Sequence, residues 1–307
     1  MPRSRLEVNA AGIVFQNPLL LAAGTAGYGR ELAALIPLDE LGGIITKAVS
    51  LEPRAGAPAP RVAEIGDGMI NAVGLANPGV EDVAERQLPW LAANLKNARV
   101  IVNVVGSAGQ EFAEVISRLD GSPAVSAYEL NVSCPNVRAG GMEFGADESA
   151  LRDLVARARA ATRKPIFVKL SPTLSKIADT ARVAVDSGAD GISVVNTFPG
   201  LAIDVESRAP VLGFGTGGVS GSALLPIGVL ATLRVARAVA VPVIGVGGIS
   251  KATDIVQYII AGASLTAVGT SVMREPRLAK RLIKDLDDWC ASHGVDDLEQ
   301  LRGTLKW

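Results

Sequence analysis

The chain has 307 residues, of which 49% are hydrophobic and only 4% aromatic, and its formal net charge at pH 7 is −1. Because 30 basic residues balance 31 acidic ones, the composition excludes the strongly basic surface of a nucleic-acid-binding protein. The two cysteines cannot form a disulfide framework, nor hold a zinc ion or an iron–sulfur cluster by themselves. The N-terminus lacks an apolar signal core, and charges and a proline interrupt the most apolar segment, 227–248. No membrane span is therefore predicted, and a cytoplasmic location is expected.

Eight short apolar segments, each bounded by glycine, asparagine or proline, recur along the chain. They cover residues 18–23, 43–49, 100–105, 128–133, 165–170, 191–196, 241–246 and 265–269. Most are rich in β-branched residues and lack alternation, as expected of strands that are buried on both faces. Segments with helical periodicity separate them, at 80–95, 111–119, 148–161, 174–187, 223–238, 251–261 and 276–292. Pro89 is expected to kink or split the first helix. The alternation predicts an α/β fold, a closed (β/α)8 TIM barrel that forms one domain over residues 1–307.

Three segments fall outside this alternation. Residues 3–16 predict an N-terminal hairpin that closes the bottom of the barrel. Residues 50–79 and 198–221 are too long for simple loops, so they are predicted to carry extra strands or lids at the carboxyl-terminal face. The run from Gly213 to Gly218 matches a dinucleotide-binding pattern formally, but it follows no strand of a βαβ unit and no acidic residue stands about 20 positions later. We interpret that run as a flexible loop.

Polar side chains and glycines gather at the carboxyl ends of the predicted strands. These ends form the functional face of such a barrel. Gly24, Thr46, Lys47, Asn103, Asn131, Cys134, Lys169, Asn196, Thr197, Gly247, Gly248, Gly269 and Thr270 occupy these ends. Turn chemistry explains some of the glycines and asparagines. It does not explain two lysines and a thiol on one rim, because burying Lys47 and Lys169 without anionic partners would be costly. A bound anion is therefore expected there.

Two of these residues each allow two interpretations. Cys134 follows an apolar strand and could serve as a proton acceptor or a nucleophile, or it could simply be a small buried hydrophobe. Lys169 could form a Schiff base, as in barrel aldolases, or it could hold negative charge on a cofactor. The cofactor role for Lys169 is favoured if Cys134 acts as a base and if the turns after the seventh and eighth strands bind a phosphate.

The turns after the seventh and eighth strands indicate a phosphate site. Gly247 and Gly248 form one turn, and Gly269 with Thr270 forms the other. Backbone N–H groups at such turns bind anions, and glycine allows close approach. The asparagines form a second set, since side-chain amides can match a planar ring of alternating C=O and N–H groups. Asn71, Asn131, Asn136 and Asn196 are the candidates, whereas Asn77 is interpreted as a turn residue before Pro78 and Gly79.

Taken together, the residues resemble the class 1 dihydroorotate dehydrogenases, flavin enzymes of pyrimidine biosynthesis. The resemblance covers almost the whole chain. Its most specific motifs are Asn-Val-Ser-Cys-Pro-Asn at 131–136 and the glycine-rich run at 68–79, and Ile-Thr-Lys at 45–47 agrees with them. The second motif and the N-terminal region are more similar to class 1B, the NAD-linked subfamily, than to the fumarate-using class 1A. Class 2 enzymes differ, because they have a serine base and an N-terminal membrane segment.

The resemblance implies oxidation of (S)-dihydroorotate to orotate on bound FMN. Cys134 would take the proton from C5 while a hydride passes from C6 to the flavin, and Lys47 would act beside it. The implied cofactor-binding residues are Ala23, Gly24, Thr46, Lys47, Asn103, Asn131, Lys169, Val195, Gly221, Gly247, Gly248, Gly269 and Thr270. The implied substrate-binding residues are Lys47, Asn71, Val73, Gly74, Leu75, Asn131, Asn136, Asn196 and Thr197. Residues 137–145 would form a lid, and no metal ion is implied.

The resemblance also implies a partner. In class 1B, electrons leave through a second subunit that carries FAD and a [2Fe–2S] cluster and reduces NAD. We therefore expect a homodimer of this chain within a heterotetramer. Two positions depart from the family pattern: Ala23 replaces a usual serine, and Ala57 lies where asparagine is usual. The alternatives are a class 1A enzyme that uses fumarate, a Schiff-base aldolase, and a flavin carrier without catalytic activity.

Overall fold

The computed structural model describes residues 4–133, 135–136 and 142–306. Its strands are β1 (Val8–Ala10), β2 (Ile13–Phe15), β3 (Leu19–Leu21), β4 (Gly43–Ile45), β5 (Val62–Ile65), β6 (Gly68–Asn71), β7 (Arg99–Val104), β8 (Val125–Asn131), β9 (Pro135–Asn136), β10 (Met142–Glu143), β11 (Ile166–Leu170), β12 (Gly191–Val194), β13 (Phe198–Gly200), β14 (Ile203–Asp204), β15 (Ala209–Pro210), β16 (Gly217–Gly221), β17 (Val243–Val246) and β18 (Leu265–Val268). Its α-helices are α1 (Val80–Asp82), α2 (Leu88–Asn94), α3 (Gly109–Leu119), α4 (Glu148–Ala161), α5 (Ile177–Asp186), α6 (Leu225–Ala236), α7 (Ala252–Ile260), α8 (Thr270–Arg274) and α9 (Leu278–Ser292).

Eight parallel strands close into a barrel in the order β3-β4-β7-β8-β11-β12-β17-β18. The predicted TIM barrel is confirmed, and each predicted apolar segment overlaps one barrel strand, although β7 and β8 begin at Arg99 and Val125, before the predicted starts. Several strands end earlier than predicted; β4 stops at Ile45 rather than at residue 49. The reason is local, because the Lys47 N–H donates to Gly27 O at 2.8 Å instead of to a neighbouring strand. The regular hydrogen bonding of β4 to its neighbouring strands therefore ends where the polar residues at the carboxyl end of the barrel begin.

The helices surround the barrel because each presents an apolar stripe to it. Helix α3 buries Phe112, Val115 and Ile116 at helical spacing. Helix α4 occupies the predicted bounds, and its N-terminus is capped by Asp147, whose side chain accepts from the Ala150 N–H. The main core runs from Leu6 to Leu298, while the one-domain interpretation stays a prediction. Among the described residues, no helix combines the length and apolarity needed to cross a membrane.

The helix predicted at 80–95 is interrupted, as was predicted from the presence of Pro89. Helix α1 passes into a π-helical turn, Val83–Gln87, before α2 begins with Pro89 in its first turn. Proline has no N–H to donate to a carbonyl four residues earlier, so the regular α-helical bonding pattern cannot continue through it. The wider turn before Pro89 is consistent with this missing donor.

The two long insertions form one antiparallel sheet, in the order β13-β16-β6-β5. Residues 50–79 supply β5 and β6, and residues 198–221 supply β13 and β16, so the prediction of extra strands is confirmed. The interpretation of the run from Gly213 as a flexible loop is wrong for Gly217 and Gly218, which lie in β16, where Gly217 pairs with Gly200 of β13 and Gly218 with Asn71 of β6. Glycine is needed here because a Cβ on Gly217 would lie 2.5 Å from Asn71 O.

The N-terminal segment forms the predicted hairpin at the opposite end of the barrel. Strands β1 and β2 pair antiparallel. Arg99, the first residue of β7, donates from Nε to Val14 O at 2.8 Å. Because Arg99 stands at the amino end of a barrel strand, this bond places the hairpin at the bottom, away from the polar rim.

A carboxylate also stabilises this end of the barrel. Asp39 accepts backbone N–H bonds from Lys96 and Asn97 at 2.7 Å and from Ala98 at 3.0 Å. Burial acts to raise the pKa of Asp39, but these hydrogen bonds outweigh it and lower the pKa below its usual 3.8. The ionised group therefore stabilises the folded state above that usual value, and the contribution is lost as the pH falls through the lowered folded pKa.

Replacing Asp39 tests whether its ionisation stabilises the folded state. We expect Asp39→Asn to lower the free energy of unfolding by about 1–2 kcal/mol at pH 7, the value of a hydrogen-bonded charge at a partly exposed site. The difference from the wild-type chain should shrink below about pH 4. Urea unfolding at pH 7 and at pH 3 measures both values, and a difference that is unchanged at pH 3 would contradict the assignment.

Candidate active site

A cavity of about 510 Å³ opens at the carboxyl ends of the barrel strands. It brings together most of the residues predicted from the sequence. They are Ala23, Gly24, Lys47, Asn71, Val73, Gly74, Leu75, Asn103, Asn131, Lys169, Val195, Asn196, Thr197, Gly221, Gly247, Gly248, Gly269 and Thr270. These residues come from barrel strand ends, from the turns that follow them, and from the four-stranded sheet above, so residues distant in the chain share one wall.

Some predicted residues do not line this cavity. Thr46 is fully buried, donates from its hydroxyl to Lys47 O, and accepts from the Asn103 N–H. It therefore supports two lining residues from behind. Cys134 lies outside the described residues, as do residues 137–141 of the predicted lid. The backbone of Asn136 belongs to β9, but its side chain also lies outside what the structure describes.

One end of the cavity is a cradle of backbone and hydroxyl groups. Gly247 and Gly248 follow β17 with φ of +122° and +74°, and Gly269 precedes α8 after β18. The Ser271 hydroxyl donates to Ile249 O at 2.7 Å, which ties the two turns together. The Thr270 hydroxyl lies 2.8 Å from that of Ser220. Such a cluster of turn N–H groups and hydroxyls suits a phosphate.

The close packing around Gly248 predicts a large effect of one methyl group. A Cβ there would meet the Leu225 backbone nitrogen and lie 2.6 Å from its Cα. We expect Gly248→Ala to weaken phosphate-ligand binding at least tenfold and to cost about 1–3 kcal/mol of stability. Gly12→Ala is the matched control, because Gly12 has φ of +77° and a methyl group added to it would have no other atom within 4 Å. Equal effects of the two substitutions, measured by ligand titration and thermal unfolding, would contradict the close-approach argument.

Two lysines face the cavity without a counter-charge. Lys169 is only 6% exposed, and Lys47 is half-buried. Neither ammonium group forms a hydrogen bond or ion pair within residues 4–133, 135–136 and 142–306. Buried cations without partners are costly. The arrangement therefore suits a ligand that carries or develops negative charge between them.

The asparagine amides are held in place by the surrounding frame. Asn131 Oδ1 accepts from the Ser133 N–H and from Asn196 Nδ2, each at 3.3 Å. Its Nδ2 has no partner among the described residues and is therefore placed to donate into the cavity. Asn196 Oδ1 in turn accepts from the Thr197 N–H at 2.9 Å. Asn71 Nδ2 donates to Gly218 O at 3.1 Å and so joins the two insertions. These fixed amides offer a planar ligand a defined set of donors and acceptors.

Asn77 has the structural role predicted for it. Its side chain is buried, and Oδ1 accepts from the N–H groups of Gly79 and Ser50. Its Nδ2 donates to Leu75 O and to the Ser50 hydroxyl, both at 2.8 Å. All of these contacts organise the turn, so the side chain holds the glycine-rich run in shape.

A second cavity of about 690 Å³ adjoins the first. The two share six lining residues, among them Asn71, Asn196 and Thr197, and Ala57 and Glu143 line the second. The departure at Ala57 therefore lies here, away from the cradle formed by the turns after β17 and β18. Burial raises the pKa of Glu143, and a hydrogen bond with Ser171 partly opposes that rise.

Several residues at the site were not predicted from the sequence. Ser220, Met69 and Met273 line the cavity from β16, β6 and α8, and no local pattern singled them out. Glu129 lies fully buried beneath it, where it accepts a hydrogen bond from Asn103. Here a signal was available, because a carboxylate inside an apolar strand is rarely buried without a function or a partner.

Comparison with known proteins decides the family. The family model described as dihydroorotate dehydrogenase matches residues 5–289. The chain belongs to the dihydroorotate dehydrogenase family. The resemblance inferred from the motifs at 45–47, 68–79 and 131–136 is therefore confirmed.

Curated relatives within this family match over the full length. The chain is 44% identical to the dihydroorotate dehydrogenase B (NAD(+)) catalytic subunit of Pelobacter propionicus, covering 98% of each chain. It is 42% identical to the protein of the same name from Geobacter metallireducens, covering 100% of each. Among solved structures, the dihydroorotate dehydrogenase of Eimeria tenella in complex with ferulenol aligns with a TM-score of 0.82 at 24% identity. That alignment covers 98% of this chain and 88% of the other, and at this identity it supports the fold.

Proposed function

We propose that the chain oxidises (S)-dihydroorotate to orotate in pyrimidine biosynthesis, as the catalytic subunit of a B-type, NAD-linked dihydroorotate dehydrogenase. The observation that carries the proposal is one cavity in which a phosphate cradle, two lysines without counter-charges and a row of fixed amides meet. Full-length relatives named as B-type catalytic subunits support the choice of subfamily.

The residues that line this cavity match the chemical groups of FMN. Gly221, Gly247, Gly248, Gly269 and Thr270 would hold the phosphate, since they line one end of the cavity where the turns after β17 and β18 meet and the Thr270 and Ser220 hydroxyls lie 2.8 Å apart. Asn103, Asn131, Lys169 and Val195 would contact the rest of the cofactor, together with Ala23, Gly24 and Lys47, while Thr46 supports Lys47 and Asn103 from behind. When bound, the flavin supplies the acceptor for the substrate hydride.

Dihydroorotate is an anionic six-membered ring whose C=O and N–H groups form a planar edge opposite its two saturated carbons. Lys47 would attract its carboxylate, and the amides of Asn71, Asn131, Asn136 and Asn196 would match its ring edges. Val73, Gly74, Leu75 and Thr197 would complete the pocket. Residues 68–79 reach the cavity because Asn71 is tied to β16, so the insertions would cover the ring and exclude water.

The chain's own groups would manage charge and protons during the reaction. Cys134 would accept the proton removed from the ring carbon, as a general base. Lys169, nearly buried and without a partner in the described parts of the chain, would stabilise negative charge that develops on the cofactor. Its low exposure strengthens this interaction because little water screens it.

Both relatives are named catalytic subunits, so each is one part of a larger assembly. We propose that this chain likewise works with an electron-transfer subunit that carries FAD and a [2Fe–2S] cluster, as two copies of each. A [2Fe–2S] cluster is usually held by four thiolates, whereas this chain has two cysteines. The cluster must therefore belong to the partner. The cytoplasmic location stays a prediction.

One experiment tests the activity and the acceptor together. The purified chain is loaded with FMN, and its flavin absorbance is followed anaerobically after dihydroorotate is added. We expect bleaching by dihydroorotate, slow turnover with NAD alone, and rapid NAD reduction once the electron-transfer subunit is added. Rapid turnover with fumarate and no partner would indicate a class 1A enzyme. A colourless protein that borohydride traps with a keto substrate would indicate the aldolase, and a yellow protein that dihydroorotate does not bleach would indicate a carrier.

A further inference from the structure

Glu129 is a buried carboxyl group in an otherwise apolar barrel strand. It lies in β8 and is fully buried. Asn103 Nδ2 donates to its Oε1 at 2.7 Å. Its other oxygen, Oε2, is buried and has no hydrogen-bond partner among the described residues. A half-satisfied buried carboxyl group destabilises a core, so its presence one side chain below the cavity suggests a role in the site.

The contact determines which way the Asn103 amide points. The amide nitrogen of Asn103 faces Glu129, because Nδ2 is the donor of this hydrogen bond and the carboxyl oxygen Oε1 accepts it. The backbone around Asn103 leaves little freedom, because its N–H donates to Thr46 Oγ1 at 3.2 Å and its C=O accepts from the Val49 N–H at 2.8 Å. What remains variable is the rotation of the Asn103 side-chain amide, and the hydrogen bond to Glu129 determines it. Asn103 Oδ1 is thereby turned away from Glu129, on a residue that lines the cavity.

This orientation complements that of the neighbouring asparagine. Asn131 Oδ1 is occupied by the Ser133 N–H and by Asn196, so Asn131 is left to donate from Nδ2. Asn103, with its nitrogen held by Glu129, is left to accept through Oδ1. The two amides therefore present an acceptor and a donor on neighbouring strands β7 and β8. A ligand bound between them meets a defined polarity, which a freely rotating amide would not provide.

We propose that Glu129 is a positioning residue that holds the Asn103 amide with its oxygen toward the cavity, where it accepts from an N–H or O–H group of the bound flavin. The inference rests on the proposed binding of FMN in this cavity. Glu129 touches neither ligand, and its effect passes through Asn103. Glutamine at this position could donate as well as accept, so the Asn103 amide would no longer have one favoured orientation.

A double-mutant cycle tests the route of this effect. FMN is titrated into the apoprotein by fluorescence for the wild-type chain, Glu129→Gln, Asn103→Ala and the double variant. We expect each single substitution to weaken FMN binding about tenfold, the equivalent of one hydrogen bond, with a shift of the bound-flavin absorbance maximum. The double variant should bind no more weakly than Asn103→Ala alone. Asp39→Asn is the control, the same carboxyl-to-amide change at the other end of the barrel, and it should leave the FMN Kd unchanged.

Several outcomes would overturn the proposal. Wild-type affinity in Glu129→Gln would do so, and so would an effect of Glu129→Gln that persists at full size in the Asn103→Ala background. If Glu129→Gln alone does not fold, Glu129→Gln with Asn103→Asp restores one hydrogen bond with donor and acceptor exchanged. That variant should fold and bind FMN at least tenfold more weakly, and wild-type affinity would again refute the role. If the wild-type chain itself binds no FMN, the proposed function fails before this inference is reached.

Discussion

Cys134→Ala should slow reduction of the bound flavin by dihydroorotate by roughly two to four decades, the usual value of a general base. FMN and substrate should still bind, because the phosphate cradle and the fixed amides do not depend on the thiol. Stopped-flow absorbance after anaerobic mixing measures the rate, and flavin titration measures the binding. Cys290→Ala is the matched control, since Cys290 is a buried thiol of α9, remote from the cavity lining, and should leave the rate unchanged.

The pH dependence of the same step gives a second test of the base. An unperturbed thiol has a pKa of about 8.5, so the rate of flavin reduction should rise with pH into the alkaline range as the thiolate forms. Cys134→Ser should retain some activity at high pH only. A wild-type reduction rate in Cys134→Ala would mean that the thiol is a packing residue and that the proton goes elsewhere.

Substituting the two lysines should impair different steps, because Lys169 is proposed to hold negative charge on the flavin and Lys47 to hold the substrate. Lys169→Ala should weaken FMN about ten- to hundredfold and lower its reduction potential, since a cation near the ring favours the reduced, more negative form. Lys47→Ala should lower kcat/KM by about two to three decades through both substrate binding and chemistry. Flavin titration, a redox titration and steady-state kinetics separate these effects.

Lys164→Ala is the matched control for both lysines. Lys164 precedes strand β11, which carries Lys169, and its Nζ donates to Asp120 O and Ser122 O at 2.7 and 2.9 Å. The substitution should reduce stability and leave the flavin potential unchanged. Small and equal effects of Lys47→Ala and Lys169→Ala would mean that neither charge is used by a ligand.

The sequence was sufficient to predict the barrel and most of its rim. Strand alternating with helix is a local property, because apolar runs and helical periodicity reflect how each segment is buried. In a parallel barrel the carboxyl ends of all strands meet at one face, so polar residues such as Lys47, Asn131 and Lys169 could be assigned to one site before any contact was known. The prediction that two turns bind phosphate followed from the same rule, since Gly247 and Gly269 stand just after strands.

The tertiary structure decided what depends on residues far apart in the chain. It joined the two insertions through Asn71 and Gly218, which are 147 positions apart, into one sheet above the cavity. It placed Thr46 behind the lining rather than in it and set the amide of Asn103 against Glu129. No periodicity encodes such pairs, because a hydrogen bond between side chains depends on strand register and barrel closure. Local sequence therefore determined which groups reach the rim, and the closed barrel determined which way they point.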